Sequence, residues 1–174
     1  MKRIMSIFLS VCLLVMFTAC GNGDQKTNSD DEDIKDLVHL YSVGKFEHVS
    51  ASISSHELMV TDENGEETVF DLPEAEFFVS IAPFETTTHP CAIHNLTGCQ
   101  GEFANEEFSV YIEDEEGHVI LDDTVTSLEN GFIDLWLPRN KTFHVTIKRD
   151  GKVAEGEIST FKDDHTCITT MQLL

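Results

Sequence analysis

Phe132-Ile133-Asp134-Leu135-Trp136-Leu137-Pro138 is the stretch that decides the fold class of this chain. Its pattern alternates, and so does that of the next segment, Thr142-Phe143-His144-Val145-Thr146-Ile147. Because successive side chains of a β-strand point to opposite faces of the sheet, this alternation predicts two strands. The Asp150-Gly151 pair then predicts a turn before a further strand.

Further short strands are predicted on both sides of this stretch, with turn residues between them. They are Phe77–Ile81, Phe108–Ile112, His118–Leu121, Lys152–Thr160 and the last segment, His165–Leu174. Strands of this length and spacing are typical of a β-sandwich. The segment 130–147 also resembles small seven-stranded sandwiches of the transthyretin or immunoglobulin type, which is an analogy of fold that carries no function. We expect a mostly β protein of the α+β class, with the sandwich at 77–174.

A smaller α+β portion is predicted before the sandwich, at 33–76. Apolar residues at positions 34, 37, 38 and 41 follow the spacing of one helix face. Two alternating runs, 56–61 and 67–72, flank the dipeptide Asn64-Gly65, which is typical of a hairpin turn.

The N-terminus has the pattern of a lipoprotein signal peptide at residues 1–20. A basic start and an apolar run precede a small residue and then Cys20. This pattern predicts export and lipidation of Cys20, which would anchor the protein to the membrane. Residues 21–32 have no apolar side chain to bury and are predicted to form a disordered tether. We expect an extracytoplasmic, lipid-anchored protein, at a Gram-positive cell surface rather than in a periplasm.

The charge and the motif content exclude several classes of function. The formal net charge is −21, so the chain repels nucleic acid, and we expect no nucleic-acid partner. No Ser/His/Asp set, paired-carboxylate motif or phosphate-binding loop stands out in the sequence. We therefore expect a protein that is not an enzyme.

Three thiols beyond the signal are the best candidates for chemistry. Cys91 and Cys99 lie in the run His89-Pro90-Cys91-Ala92-Ile93-His94-Asn95-Leu96-Thr97-Gly98-Cys99-Gln100-Gly101-Glu102, and Cys167 lies near the C-terminus. Exported proteins usually pair their cysteines, so an odd number needs an explanation. Thiolates gathered with imidazoles are soft ligands that select Cu(I) or Zn(II). The candidates for completing such a site, or for supporting its ligands, are His89, His94 and His165.

Other interpretations of the same thiols stay open at this point. A disulfide between Cys91 and Cys99 would close a small loop and stabilise it by about 2–3 kcal/mol, leaving Cys167 as a buried thiol in a structural or binding domain without metal. Zn(II) would prefer four ligands, for instance three cysteines and one histidine. A redox thiol protein is less favoured because the spacing is not Cys-x-x-Cys.

The cysteine-containing segments resemble a known family. The run from His89 to Glu102, together with the terminal segment from Asp164 to Leu173, resembles the CueP family of extracytoplasmic copper-binding proteins. The similarity covers most of the predicted mature chain. It is carried by three cysteines, two of them eight residues apart and the third 68 residues beyond the second.

This resemblance implies copper binding through Cys91, Cys99 and Cys167, and a role in copper resistance, storage or delivery outside the cytoplasm. It also implies a two-domain protomer that forms a homodimer through its N-terminal part. A copper-exchanging protein is an expected partner. We further hypothesise that the thiols reduce Cu(II) stoichiometrically to Cu(I), because a thiol-rich site favours the reduced ion.

Overall fold

A computed structural model describes residues 27–174 of the chain. One helix, α1 (Thr27–Val43), precedes all the strands. The strands are β1 (Ser50–Ile53), β2 (Glu57–Thr61), β3 (Glu67–Asp71), β4 (Glu76–Ile81), β5 (His94–Asn95), β6 (Glu107–Asp114), β7 (Val119–Thr126), β8 (Ile133–Pro138), β9 (Thr142–Arg149), β10 (Lys152–Ser159) and β11 (Cys167–Ile168). The prediction of a mostly β protein of the α+β class is confirmed.

The strands form three sheets. The N-terminal sheet has the order β3-β2-β1-β5, the central sheet β11-β4-β8 and the outer sheet β10-β9-β6-β7. Most neighbours are antiparallel, but β11 runs parallel to β4, with Cys167 opposite Ser80. The central and outer sheets together hold seven strands among the described residues and enclose the main core, as expected for the predicted sandwich.

The central sheet is buried on both faces because a core lies on each side of it. Phe77, at the start of β4, points into the core shared with the outer sheet. Its neighbour Phe78 points the other way, into a core formed with α1 and the N-terminal sheet. This two-sided burial explains why β4 is almost entirely apolar rather than alternating.

Helix α1 begins earlier than the sequence analysis expected. Its first residue is Thr27, so residues 27–32 of the predicted tether are helical instead. Acidic side chains near this end interact favourably with the helix dipole, which helps a polar segment to continue the helix outward. Ile34 and Val38 anchor the helix in the core.

The N-terminal sheet takes its fourth strand from outside the predicted 33–76 portion. That strand is β5, which lies within the cysteine-containing run and pairs with β1 through Ile53 and His94. Neither β1 nor β5 was predicted from the sequence, because each is too short to show a clear alternation of apolar and polar residues. The predicted last strand is also shorter than expected, since only Cys167–Ile168 pair with β4.

The predicted signal peptide (1–20), the predicted lipidation site Cys20 and the first part of the predicted tether (21–26) lie outside the described residues. Within 27–174, no helix is both long enough and apolar enough to span a bilayer.

The two-sided burial of β4 predicts that both of its phenylalanines are costly to truncate. Phe77→Ala and Phe78→Ala should each lower the free energy of unfolding by about 3–5 kcal/mol, measured by urea denaturation. Val69→Ala on the edge strand β3, where the side chain is 47% exposed, should change it by only about 0.5 kcal/mol. A loss for Phe78→Ala as small as that for Val69→Ala would contradict the second core.

Candidate metal centre

Four potential ligand atoms converge at one end of the central sheet. One ring nitrogen of His89 and the sulfurs of Cys91, Cys99 and Cys167 all lie within 4.8 Å of one another. The Sγ atoms of Cys91 and Cys99 are 3.8 Å apart. Three sulfurs that are distant in sequence therefore share one small space.

Cys167 is placed by the parallel pairing of β11 with β4. Ser80 and Ala82 of β4 and its continuation donate their N–H groups to the carbonyls of Thr166 and Ile168, at 2.8 and 2.9 Å. The pairing carries Cys167 into the interior, where it is buried against Phe132. Cys167 is the least accessible of the three thiols.

The segment around Cys91 is tied directly to β11. The carbonyl of Ala92 accepts hydrogen bonds from the N–H groups of Thr166 and Cys167, at 3.0 and 3.3 Å. The Thr166 hydroxyl accepts from the N–H of His94 and donates to the carbonyl of Ile53. These contacts place Cys91 beside Cys167, and the Cys91 side chain remains partly exposed.

Cys99 lies at the end of a tight turn that starts from β5. The carbonyl of Asn95 accepts hydrogen bonds from the N–H groups of Gly98 and Cys99, at 3.2 and 2.9 Å. Leu96 donates its N–H to Ala51 of β1 and buries its side chain in the N-terminal core. The turn thus brings Cys99 back towards Cys91.

A close contact between two glycine backbones fixes the segment after Cys99. Gly101 donates its N–H to the carbonyl of Asn130 at 2.6 Å. A Cβ on Gly131 would lie 2.7 Å from the backbone of Gly101, and one on Gly101 would lie 2.4 Å from the carbonyl oxygen of Gly131. Gly131 also has a φ of +81°, which residues with a side chain rarely adopt. Both positions therefore require glycine.

Glu102 holds the loop that leads to His89. Its carboxylate accepts the N–H groups of Glu85, Thr86 and Thr87 and the hydroxyl of Thr86. These hydrogen bonds, that from Thr87 first, lower the pKa of Glu102 from its ordinary value of 4.5 to about 2. The carboxylate therefore stays ionised and connects the two arms of the cysteine loop.

The three thiols have different proton affinities because they face one another. The hydrogen bond from Cys167 is the largest cause that lowers the pKa of Cys99, to about 2. The pKa of Cys167 is raised because its proton is held by the bond to Cys99 and by burial. Burial likewise raises the pKa of Cys91. Cys99 is therefore the sulfur that most readily exists as a thiolate.

The three histidines predicted to complete or support the site differ in their distance from the cysteine cluster. His89 is one of the four converging residues. His94 is fully buried, packs its ring 4.5 Å from that of Phe132, and places Nδ1 3.3 Å from the Sγ of Cys167. His165 is exposed and outside the cluster, although it lines a cleft of about 340 Å³ that Cys91 and Cys167 also line.

In a second group of potential metal ligands, the amino group of a lysine forms ion pairs with the carboxylates. Asp114, Glu116 and His118 lie together on the turn between β6 and β7. The Nζ of Lys141 is 2.6 Å from the Oδ2 of Asp114 and 3.6 Å from a carboxylate oxygen of Glu116. This group is therefore a network of ion pairs that closes the turn.

Comparison with protein families finds a match that includes all three cysteines. A family model described as "Periplasmic copper-binding protein CueP" matches residues 33–172. The chain belongs to the CueP family. A chain of the solved structure titled "Crystal Structure of S.CueP" is 38% identical, with a TM-score of 0.75, over 82% of this chain and 88% of that one. A comparison with curated proteins found no match.

Membership of the CueP family confirms the resemblance drawn from the cysteine-containing segments. It supports copper as the bound metal and a location outside the cytoplasm, because the family description names a periplasmic copper-binding protein. The three cysteines proposed as ligands lie together within the matched residues.

Two polar residues that lie beside His94 were not predicted from the sequence as part of the site. Ser80 on β4 and Asp134 on β8 are paired across the central sheet and point to the side where His94 lies. Their signal was present, because each is a polar residue within an otherwise apolar strand. A polar residue that interrupts a buried strand usually has a specific hydrogen-bond partner.

The glycine contact beside Cys99 predicts the effect of Gly131→Ala. Both Gly131→Ala and the control Gly117→Ala place a side chain on a backbone with φ of +81°, but a Cβ at Gly117 has no atom within 4 Å. Gly131→Ala should therefore lower the free energy of unfolding by about 1–3 kcal/mol more than Gly117→Ala. Urea denaturation measures both, and equal losses would contradict the role of the contact.

Proposed function

We propose that the protein is an extracytoplasmic copper-binding lipoprotein that holds Cu(I) through the thiolates of Cys91, Cys99 and Cys167. The observation that carries the proposal is the convergence of these sulfurs within 4.8 Å of one another. Thiolates are soft ligands, and soft ligands select Cu(I). Membership of a copper-binding family supports the same metal.

Zn(II) is the second candidate because His89 lies within the same group. Three thiolates and one imidazole would give Zn(II) the four ligands that it prefers. A site of three sulfurs satisfies Cu(I) without the histidine. The dependence of binding on His89 therefore separates the two metals.

The accessibility of the sulfurs supports a role in copper resistance, storage or delivery. Cys91 and Cys99 are partly exposed, whereas Cys167 is buried. A copper-exchanging protein could present a ligand to the two accessible sulfurs first. A lipid anchor at Cys20 would hold this exchange near the membrane, and the N-terminal part would form a homodimer.

The spacing of Cys91 and Cys99 also supports a coupled reduction of copper. Two Cu(II) ions would each accept one electron from the two thiols, whose sulfurs form a disulfide while two protons leave. The sulfurs are 3.8 Å apart and would have to approach to about 2.05 Å to form the disulfide bond. The step consumes two of the three proposed ligands, so it is stoichiometric and not enzymatic, and it would release copper as Cu(I) from the oxidised site.

Replacement of single ligands tests the proposed site. Cys99→Ser and Cys167→Ser should each abolish tight Cu(I) binding by the reduced protein, because each removes one of three shared thiolates. The measurement is competition with a chromogenic Cu(I) chelator, repeated with Zn(II). His165→Ala should leave Cu(I) binding unchanged because His165 lies outside the cluster.

His89→Ala distinguishes the two metals. It should weaken Zn(II) binding far more than Cu(I) binding, since only Zn(II) needs the fourth ligand. Full Cu(I) affinity in both Cys99→Ser and Cys167→Ser would contradict a Cu(I) site shared by the three cysteines. Addition of Cu(II) should form Cu(I) while thiols are consumed, and the absence of both changes would end the reduction hypothesis.

A further inference from the structure

A chain of hydrogen bonds runs from helix α1 through the central sheet to Cys167. The hydroxyls of Ser42 and Ser80 lie 2.6 and 2.5 Å from the two carboxylate oxygens of Asp134. The Nε2 of His94 is 3.3 Å from the Oγ of Ser80, and its Nδ1 is 3.3 Å from the Sγ of Cys167. The network therefore ends at the sulfur that is least accessible to solvent.

The donors and acceptors of this network allow only one arrangement of protons when Asp134 is ionised. A carboxylate only accepts, so both serine hydroxyls donate to Asp134. The single proton of Ser80 is then used, and its oxygen offers lone pairs to the ring of His94. A hydrogen bond between them requires the proton to lie on Nε2 of His94.

This arrangement leaves Nδ1 of a neutral His94 ring without a proton. The bare nitrogen is an acceptor that faces Cys167, so it and the sulfur of Cys99 are the two acceptors available to the S–H hydrogen of Cys167. Ser80 and His94 are fully buried, and they lie on strands β4 and β5 of two different sheets. Water therefore cannot replace Ser80 as the partner of Nε2 without a rearrangement of the core.

We propose that Ser80 and Asp134 are positioning residues that fix the Nε2–H tautomer of His94 and hold its bare Nδ1 against Cys167. Ser80 is paired with Cys167 through the backbone, but the side-chain hydrogen bonds of Ser80 and Asp134 reach the sulfur only through His94. Partners of this kind orient the groups around a metal, and their loss typically costs about 10- to 100-fold in metal affinity. Only this effect on affinity rests on the proposed copper function, because the tautomer belongs to the metal-free protein.

Nitrogen-15 NMR of the histidine rings in the reduced, metal-free protein tests the proposal. Long-range proton–nitrogen correlations should show His94 protonated at Nε2 and bare at Nδ1. A proton on Nδ1 in the wild-type protein would overturn the proposal directly. This result does not depend on whether any variant folds.

Ser80→Ala and Ser42→Ala form a matched pair. Each removes one buried hydroxyl that donates to Asp134, but only Ser80 contacts His94. Ser80→Ala should give a mixture of tautomers and weaken Cu(I) binding by about 10- to 100-fold, whereas Ser42→Ala should preserve both properties. Asp134→Leu should also give mixed tautomers, because the hydroxyl of Ser80 is then free to turn towards His94.

The outcomes separate this proposal from the copper function. A wild-type protein with the expected tautomer but no Cu(I) binding would refute the copper function and support the positioning of His94. A wild-type protein that binds Cu(I), with Ser80→Ala matching Ser42→Ala in tautomer and affinity, would refute the role of Ser80. An unchanged tautomer in Asp134→Leu would refute the role of the carboxylate.

Discussion

The parallel pairing of β11 with β4 is the interaction on which the site depends. It is only two residues long, yet it carries Cys167 from the C-terminal segment to a place beside Ser80, on a strand at the centre of the fold. The carbonyl of Ala92 then ties the cysteine loop to the same segment. The pairing and these hydrogen bonds together place the buried thiol beside the other two.

The central sheet serves two cores and also carries the polar residues of the site. On one face Phe77, Val79 and Ile81 fill the sandwich. On the other face Phe78 packs beneath the helix, while Ser80 turns towards Asp134 and His94. Among the described residues, every buried side-chain nitrogen and oxygen atom has a hydrogen-bond partner. The site is therefore a satisfied polar network within an apolar sheet, which favours a single arrangement of its groups.

Much of this fold follows from local sequence patterns. The alternation through β8 and β9 and the Asn64-Gly65 turn are local signals, and the predicted strands lie close to the observed ones. The residue types and spacing of the three cysteines likewise indicate the site. The position of Cys167 is harder to derive, because the parallel pairing of a two-residue strand depends on contacts distant in sequence. The contact between Gly101 and Gly131 and the role of Ser80 depend in the same way on the packing of separate segments.

X-ray absorption spectroscopy at the copper edge of the Cu(I)-loaded protein tests the central claim most directly. The account predicts three sulfur ligands on each bound ion, and alkylation of all three thiols should be blocked by the metal. Two sulfur ligands, with Cys167 alkylated as rapidly as in the metal-free protein, would show that the third sulfur does not belong to the site. Such a result would contradict the account, because the pairing of β11 with β4 would then have no part in binding.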